Sequence, residues 1–193
     1  MGLPHQDRSA LLIMDYQNAI LDHYLAANPG LIATAKQALD AARQAGLRII
    51  YVVIGFRAGY PEVSLNNKSF GAISQSGRFK PGSQGAEIHS DLSPREGDLV
   101  TTKHLISAFA GSDLEMLLRA AGIERLVLAG VATSGVVLST LRQAADMDFK
   151  LTVLKDACLD ADPAVHACLM DKVFPRQAEV IDVATWTASL ESK

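Results

Sequence analysis

Short apolar runs alternate with helix-period segments from one end of this 193-residue chain to the other, and that alternation constrains its fold most tightly. Ala10 to Asp15 is a brief, almost continuously apolar run that reads as a buried strand. Asn28-Pro29 then supplies a capping residue and a helix-compatible proline. Leu31, Ile32, Ala35, Leu39 and Ala42 share one helical face, and Gly46 ends the segment. Arg48 to Phe56 is a second strand, rich in Ile, Val and Tyr and without polar alternation, as a strand covered on both faces should be.

The pattern resumes beyond residue 98. Leu99 to Lys103 reads as a strand and Asp113 to Ala121 as a helix. Arg125 to Ala132 is the next strand, followed by a helix from Gly135 to Met147. Lys150 to Ala157 is a strand, Asp162-Pro163 starts another helix, and Glu179 to Val183 is the last strand. Strands and helices alternating at this spacing imply right-handed crossovers and a mainly parallel α/β sheet with helices on both faces. No linker or repeat divides the chain, so residues 1–193 read as one domain with a core from about 9 to 186. Residues 57–98 break the rhythm: they carry Gly59, Gly71, Gly77, Gly82, Gly85 and Gly97 with Pro61, Pro81 and Pro94. They read as a long loop excursion with a short helix around Ser69 to Ser76. Loops of such length are usually functional, although a surface insertion has the same composition.

A formal net charge of -3 offers no basic field to a phosphate backbone, so nucleic acid is not an expected partner. No apolar run is long enough to span a bilayer, and residues 1–8 lack the apolar core of a secretory signal. Cys158 and Cys168 show neither metal spacing nor a disulfide framework. The expectation is a cytoplasmic protein without a membrane partner. His5, His23, His89, His104 and His166 form no close pair, and Gly-x-Gly-x-x-Gly, Walker and Gly-x-Ser-x-Gly motifs are absent. No metal or other cofactor is expected.

In open parallel sheets ligands bind beyond the carboxyl ends of the strands. Asp15 ends the first strand, Phe56-Arg57 the second and Lys103-His104 the third, while Thr133-Ser134 follows the fourth. Asp15 leaves an apolar strand, so partial burial would raise its pKa and equip it as a general acid or base. A carboxylate there can equally cap a turn. Lys103 can stabilise negative charge on a substrate, or stand solvated at a strand end. The run Gly130-Val131-Ala132-Thr133-Ser134-Gly135-Val136-Val137 offers backbone N–H groups at a helix start, where an anion or a developing oxyanion can sit. Gly130 and Gly135 permit close backbone approach, which makes Ser134 and Gly135 candidate substrate contacts. Arg57 can grip a carboxylate through its fork of donors. Phe56, Tyr60, Phe70 and Phe109 are candidate apolar walls, a role that core packing would also explain.

Three blocks at these spacings resemble the isochorismatase-like, or cysteine hydrolase, superfamily. They are Leu12-Ile13-Met14-Asp15-Tyr16-Gln17-Asn18, Lys103 with Ser107-Ala108-Phe109, and Gly130-Val131-Ala132-Thr133. Val153-Leu154-Lys155-Asp156-Ala157 adds to the match, which runs from about Ser9 to Trp186. The resemblance implies a three-layer α/β/α sandwich with a six-stranded parallel sheet, a small-molecule substrate, and a homodimer or homotetramer. It places the family's catalytic Asp at Asp15 and its Lys at Lys103. The position of the nucleophilic Cys falls on Val136, which has no thiol. It also implies a cis peptide between Val131 and Ala132, with the N–H groups of Ala132 and Val136 forming an oxyanion hole. Members that cleave a vinyl ether also lack the cysteine and use the Asp as acid, so an Asp15–Lys103 hydrolase or lyase remains chemically coherent. The metal-binding histidines of nicotinamidases have no counterpart in Phe56-Arg57-Ala58-Gly59-Tyr60, and zinc is not expected. The alternative is a degenerate member that binds a small ligand or partner without turnover.

Overall fold

The computed structural model describes residues 8–26 and 28–191; the reading of residues 1–7 lies outside them. Six strands form one sheet: β1 Ser9–Met14, β2 Arg48–Ile54, β3 Leu99–Lys103, β4 Arg125–Val131, β5 Lys150–Leu159 and β6 Glu179–Ile181. Their spatial order is β3-β2-β1-β4-β5-β6, and every neighbouring pair is parallel. The chain winds outward from β1 to β3, then returns to β1's other side with β4. The order therefore reverses between β1 and β4, and a crevice opens there at the carboxyl edge.

The apolar run of β1 shows why the sheet needs two covering layers. Ala10, Leu12 and Met14 join one core cluster with Leu114, Leu118 and Leu141. Leu11 and Ile13 point the other way and pack with Leu31, Leu39, Val183 and Trp186. Successive side chains on a strand face opposite sides, so a run buried on both has no room for polar alternation. The helices are α1 Asn18–Leu21, α2 Leu31–Gln44, α3 Ile73–Ser76, α4 Leu114–Ala120, α5 Leu138–Asp146, α6 Pro163–Cys168 and α7 Val183–Glu191. α2 and α7 cover one face; α4 and α5 cover the other.

Two local expectations need correction, and one helix was not anticipated. The helix after β4 does not begin at Gly135: Thr133–Val137 form a wide π-type turn, Gly135 takes the non-helical pair φ -95, ψ -105, and α5 starts at Leu138. A non-helical residue inside the segment lets the turn present its backbone to the crevice before the helix proper begins. The expected helix at Ser69 to Ser76 shrinks to the single turn α3. The closing helix α7 had no sequence expectation at all, yet it buries Val183 and Trp186. By contrast Asp162 caps α6 as read, its carboxylate accepting the Ala164 N–H at 2.8 Å.

The excursion after β2 has a core of its own. Phe56, Tyr60, Phe70 and Phe79 cluster with Ile54, with ring centroids 5.6 Å apart for Phe56–Tyr60 and 6.1 Å for Phe56–Phe70. Gln17, fully buried, ties this region to the sheet. Its Nε2 donates to Ile54 O at 2.9 Å and Ala86 O at 2.8 Å, and its Oε1 accepts the Ile54 N–H at 2.7 Å. One amide side chain thus satisfies backbone groups at the end of β2 and at the return of the loop.

Candidate active site

Asp15 follows β1 directly and takes a positive φ of 62°, which bends the chain out of the sheet. Its N–H still donates to Val52 O at 2.8 Å, so the strand pairing holds the residue at the carboxyl edge. Lys103 closes β3, two strands away, and its extended side chain crosses the end of β2. Its Nζ lies 3.0 Å from Asp15 Oδ2 and donates to Leu105 O at 3.0 Å. Lys103 is 2% exposed and Asp15 5%. Burial pushes the Asp15 carboxyl above its ordinary value, and the Lys103 charge and hydrogen bond only partly oppose that rise. Asp15 Oδ1 is buried and has no hydrogen-bond partner among the described residues.

Both residues line a cavity of about 270 Å³. Its wall after β4 is Val131, Ala132, Gly135 and Val136, and the Val131–Ala132 peptide is cis. Val136 is 2% exposed and its side chain carries only methyl groups, so it cannot attack a substrate. Phe70 and Phe79 come from the excursion, Ile20, His23 and Tyr24 from the α1 region, and Ile106 from the loop after β3.

The structure separates the other expected contacts. Arg57 does not line this cavity: its Nη1 pairs with Glu62 Oε1 at 2.6 Å, and the side chain is 73% exposed. A carboxylate five residues on captures the guanidinium before it can turn inward. Phe56 and Tyr60 pack in the aromatic core of the excursion, where the Tyr60 hydroxyl donates to Arg78 O at 2.9 Å. Phe109 is buried on the α4–α5 side of the sheet and stacks on Phe149 with centroids 6.3 Å apart. Ser134 is exposed, and its N–H is taken by Asp160 Oδ2 at 2.6 Å. Of the expected wall residues only Phe70 and Gly135 meet the pair.

Ile20, His23, Tyr24, Phe79 and Ile106 were not among the sequence candidates, and neither was the cation Arg78. It lines the cavity, donates through Nη2 to Ala19 O, and lies 3.3 Å from His23 Nε2. Its guanidinium carbon sits 5.1 Å from the Phe79 ring centroid. Among the described residues it has no carboxylate partner within salt-bridge distance. A cation in a Gly-rich loop was the available signal, but Arg57 carried the same one. Among the described residues no group of three His, Cys, Asp or Glu could hold a metal ion.

Comparison with known protein families matches residues 9–185 to the isochorismatase domain. This chain belongs to the isochorismatase family. A relative, the ureidoacrylate amidohydrolase RutB of Stutzerimonas stutzeri (strain A1501), is 32% identical over 95% of this chain and 80% of its own length. Among solved structures, a cysteine hydrolase from Pseudomonas syringae pv. phaseolicola 1448A superposes with a TM-score of 0.88 at 20% identity. That alignment covers 98% of this chain and 95% of the other, and shows the shared fold. N-carbamoylsarcosine amidase from Thermoplasma acidophilum matches with a TM-score of 0.74 and 26% identity over 91% of this chain and 96% of its own. The six-stranded parallel sheet between helical layers is the isochorismatase-family α/β fold. No described helix is long and apolar enough to cross a membrane.

Proposed function

We propose that this protein is a hydrolase, or a related lyase, of a small polar metabolite that bears a carboxylate, and that it works through Asp15 and Lys103 without a thiol. The observation that carries the reading is Asp15 itself: a buried acid of raised pKa, paired to a buried lysine, with one oxygen unpartnered among the described residues beside a cavity. Leaving a buried carboxylate oxygen without a partner costs stability, and a substrate proton is the natural partner. A volume of about 270 Å³ suits a metabolite rather than a polymer or a large cofactor. Names of relatives, an amidohydrolase and an amidase, point to hydrolysis.

In this reading water supplies the attacking oxygen that Val136 cannot. Asp15 takes the proton from that water as the new bond forms and gives it to the leaving group as the old bond breaks, so one water is added overall. Lys103 stabilises negative charge on the reacting atoms, and the N–H groups of Ala132 and Val136 face the developing oxyanion. Arg78, rather than Arg57, holds the carboxylate through its planar donors. We read residues 1–193 as one domain acting in the cytoplasm as a homodimer or homotetramer.

Val136 favours one other reading, a member that binds its ligand without turning it over. A panel of ureido- and carbamoyl-carboxylates, simple amides and vinyl ethers separates the two. Turnover by the native protein that Asp15→Asn abolishes supports the enzyme. Ligands that raise the melting temperature of both proteins, with no product from either, support the binder.

A further inference from the structure

The turn after β4 is held from outside the cavity by the next strand–helix unit. Thr133, fully buried, places Oγ1 2.8 Å from His166 Nδ1 on α6. One residue later the Ser134 N–H donates to Asp160, itself buried just beyond β5. Neither His166 nor Asp160 lines the cavity, and the chemistry above uses neither.

We propose that His166 is a positioning residue that acts through the Thr133 hydroxyl and sets the orientation of the Ala132–Val136 turn according to its own protonation state. We assign the neutral ring the tautomer with its proton on Nε2, in which Nδ1 accepts the Thr133 hydroxyl at 2.8 Å. The imidazolium has donors on both nitrogens, so the hydroxyl must reverse and its own proton loses its acceptor. Thr133 is buried, and His166 is its hydroxyl's one hydrogen-bond partner among the described residues. Reversal therefore strains the turn that carries Ala132, Gly135 and Val136, all lining the cavity. The charged groups facing His166 are Asp160 beyond β5 and Asp171 after α6; both favour the imidazolium, while burial outweighs them and lowers the His166 pKa. Asp160 holds the Ser134 N–H, so the two contacts fix the turn at neighbouring residues and only the one at Thr133 involves the His166 ring. The inference concerns the turn and holds whatever reaction the cavity performs.

The test is an NMR titration of the full, isotope-labelled chain from pH 7.5 to 5. The His166 ring and the backbone amides of Ala132 to Val136 should move with one common midpoint, below the ordinary imidazole value of about 6.5. In Thr133→Val the ring should still titrate while the turn amides lose that step, and Thr133→Ser should restore it. Turn amides that ignore the His166 midpoint in the native protein, or that follow it equally in Thr133→Val, overturn the proposal. If Thr133→Val does not fold, His166→Gln serves instead: it keeps an acceptor but removes the titration, and a step that persists there overturns the proposal as well.

Discussion

Asp15 Oδ2 and Lys103 Nζ meet at 3.0 Å although β2 stands between the strands that carry them. The contact exists because lysine is long enough to cross one strand end and because both residues fall at the same edge of a parallel sheet. In water such a pair contributes little. Here both partners are nearly fully buried, so removing either leaves an uncompensated buried charge.

Asp15→Asn should keep the fold at reduced stability, because Lys103 loses its counter-charge, and lose most turnover. Asn has nearly the same shape and its carbonyl oxygen can still accept from Lys103, but it cannot carry a proton between water and leaving group. The loss in kcat should be about 10²–10⁴-fold, equivalent to about 3–5 kcal/mol of barrier. Circular dichroism and kcat measured on the same preparation check this; an unchanged kcat removes the acid from the mechanism.

Lys103→Met should destabilise the protein more as the pH rises. Asp15 already has a raised pKa from burial, and Lys103 is what opposes the rise. Without it the folded-state pKa climbs further. A carboxyl whose folded pKa lies above its unfolded value is stabilising when protonated, and that stability is lost as pH rises through the folded pKa. The variant should therefore lose about 3–5 kcal/mol near pH 8 and visibly less near pH 5, read from denaturant midpoints at each pH. A loss that is independent of pH would show that Asp15 does not titrate in this window.

Arg78→Met should raise KM for a carboxylate substrate at least tenfold while kcat changes little, because the cation binds a part of the substrate that does not react. Arg57→Ala should leave both within about twofold, since its side chain is occupied by Glu62 at the surface. The reverse pattern would return carboxylate recognition to Arg57.

Iodoacetamide at pH 7.5 should modify Cys168 and spare Cys158. Cys168 is exposed, whereas Cys158 is buried and its thiol is pushed up to about 12 by desolvation. Mass spectrometry should find one label per chain, with turnover retained because the turn near Asp15 carries Val136 and no thiol. Complete loss of activity, prevented by substrate, would place a cysteine in the reaction.

The amino-acid sequence by itself determined the strand–helix rhythm, and with it the parallel sheet, because burial on two faces demands uninterrupted apolar strands. It also determined that Asp15, Lys103 and the Gly130–Val137 run would end at one edge, since parallel strands put all their carboxyl ends together. Only the tertiary structure decided which residues of the excursion face the cavity. That segment has no period, so its side chains take direction from distant partners: Glu62 holds Arg57 outward, while Ala19 and Phe79 hold Arg78 against the cavity. Phe109 and Phe70 look alike as aromatic residues after strands. One is buried on the α4–α5 side and the other beside the acid, according to which layer closes over each. The link from Thr133 to His166 was invisible for the same reason: a hydrogen bond between neighbouring β–α units follows from how those units pack, and no local pattern encodes it.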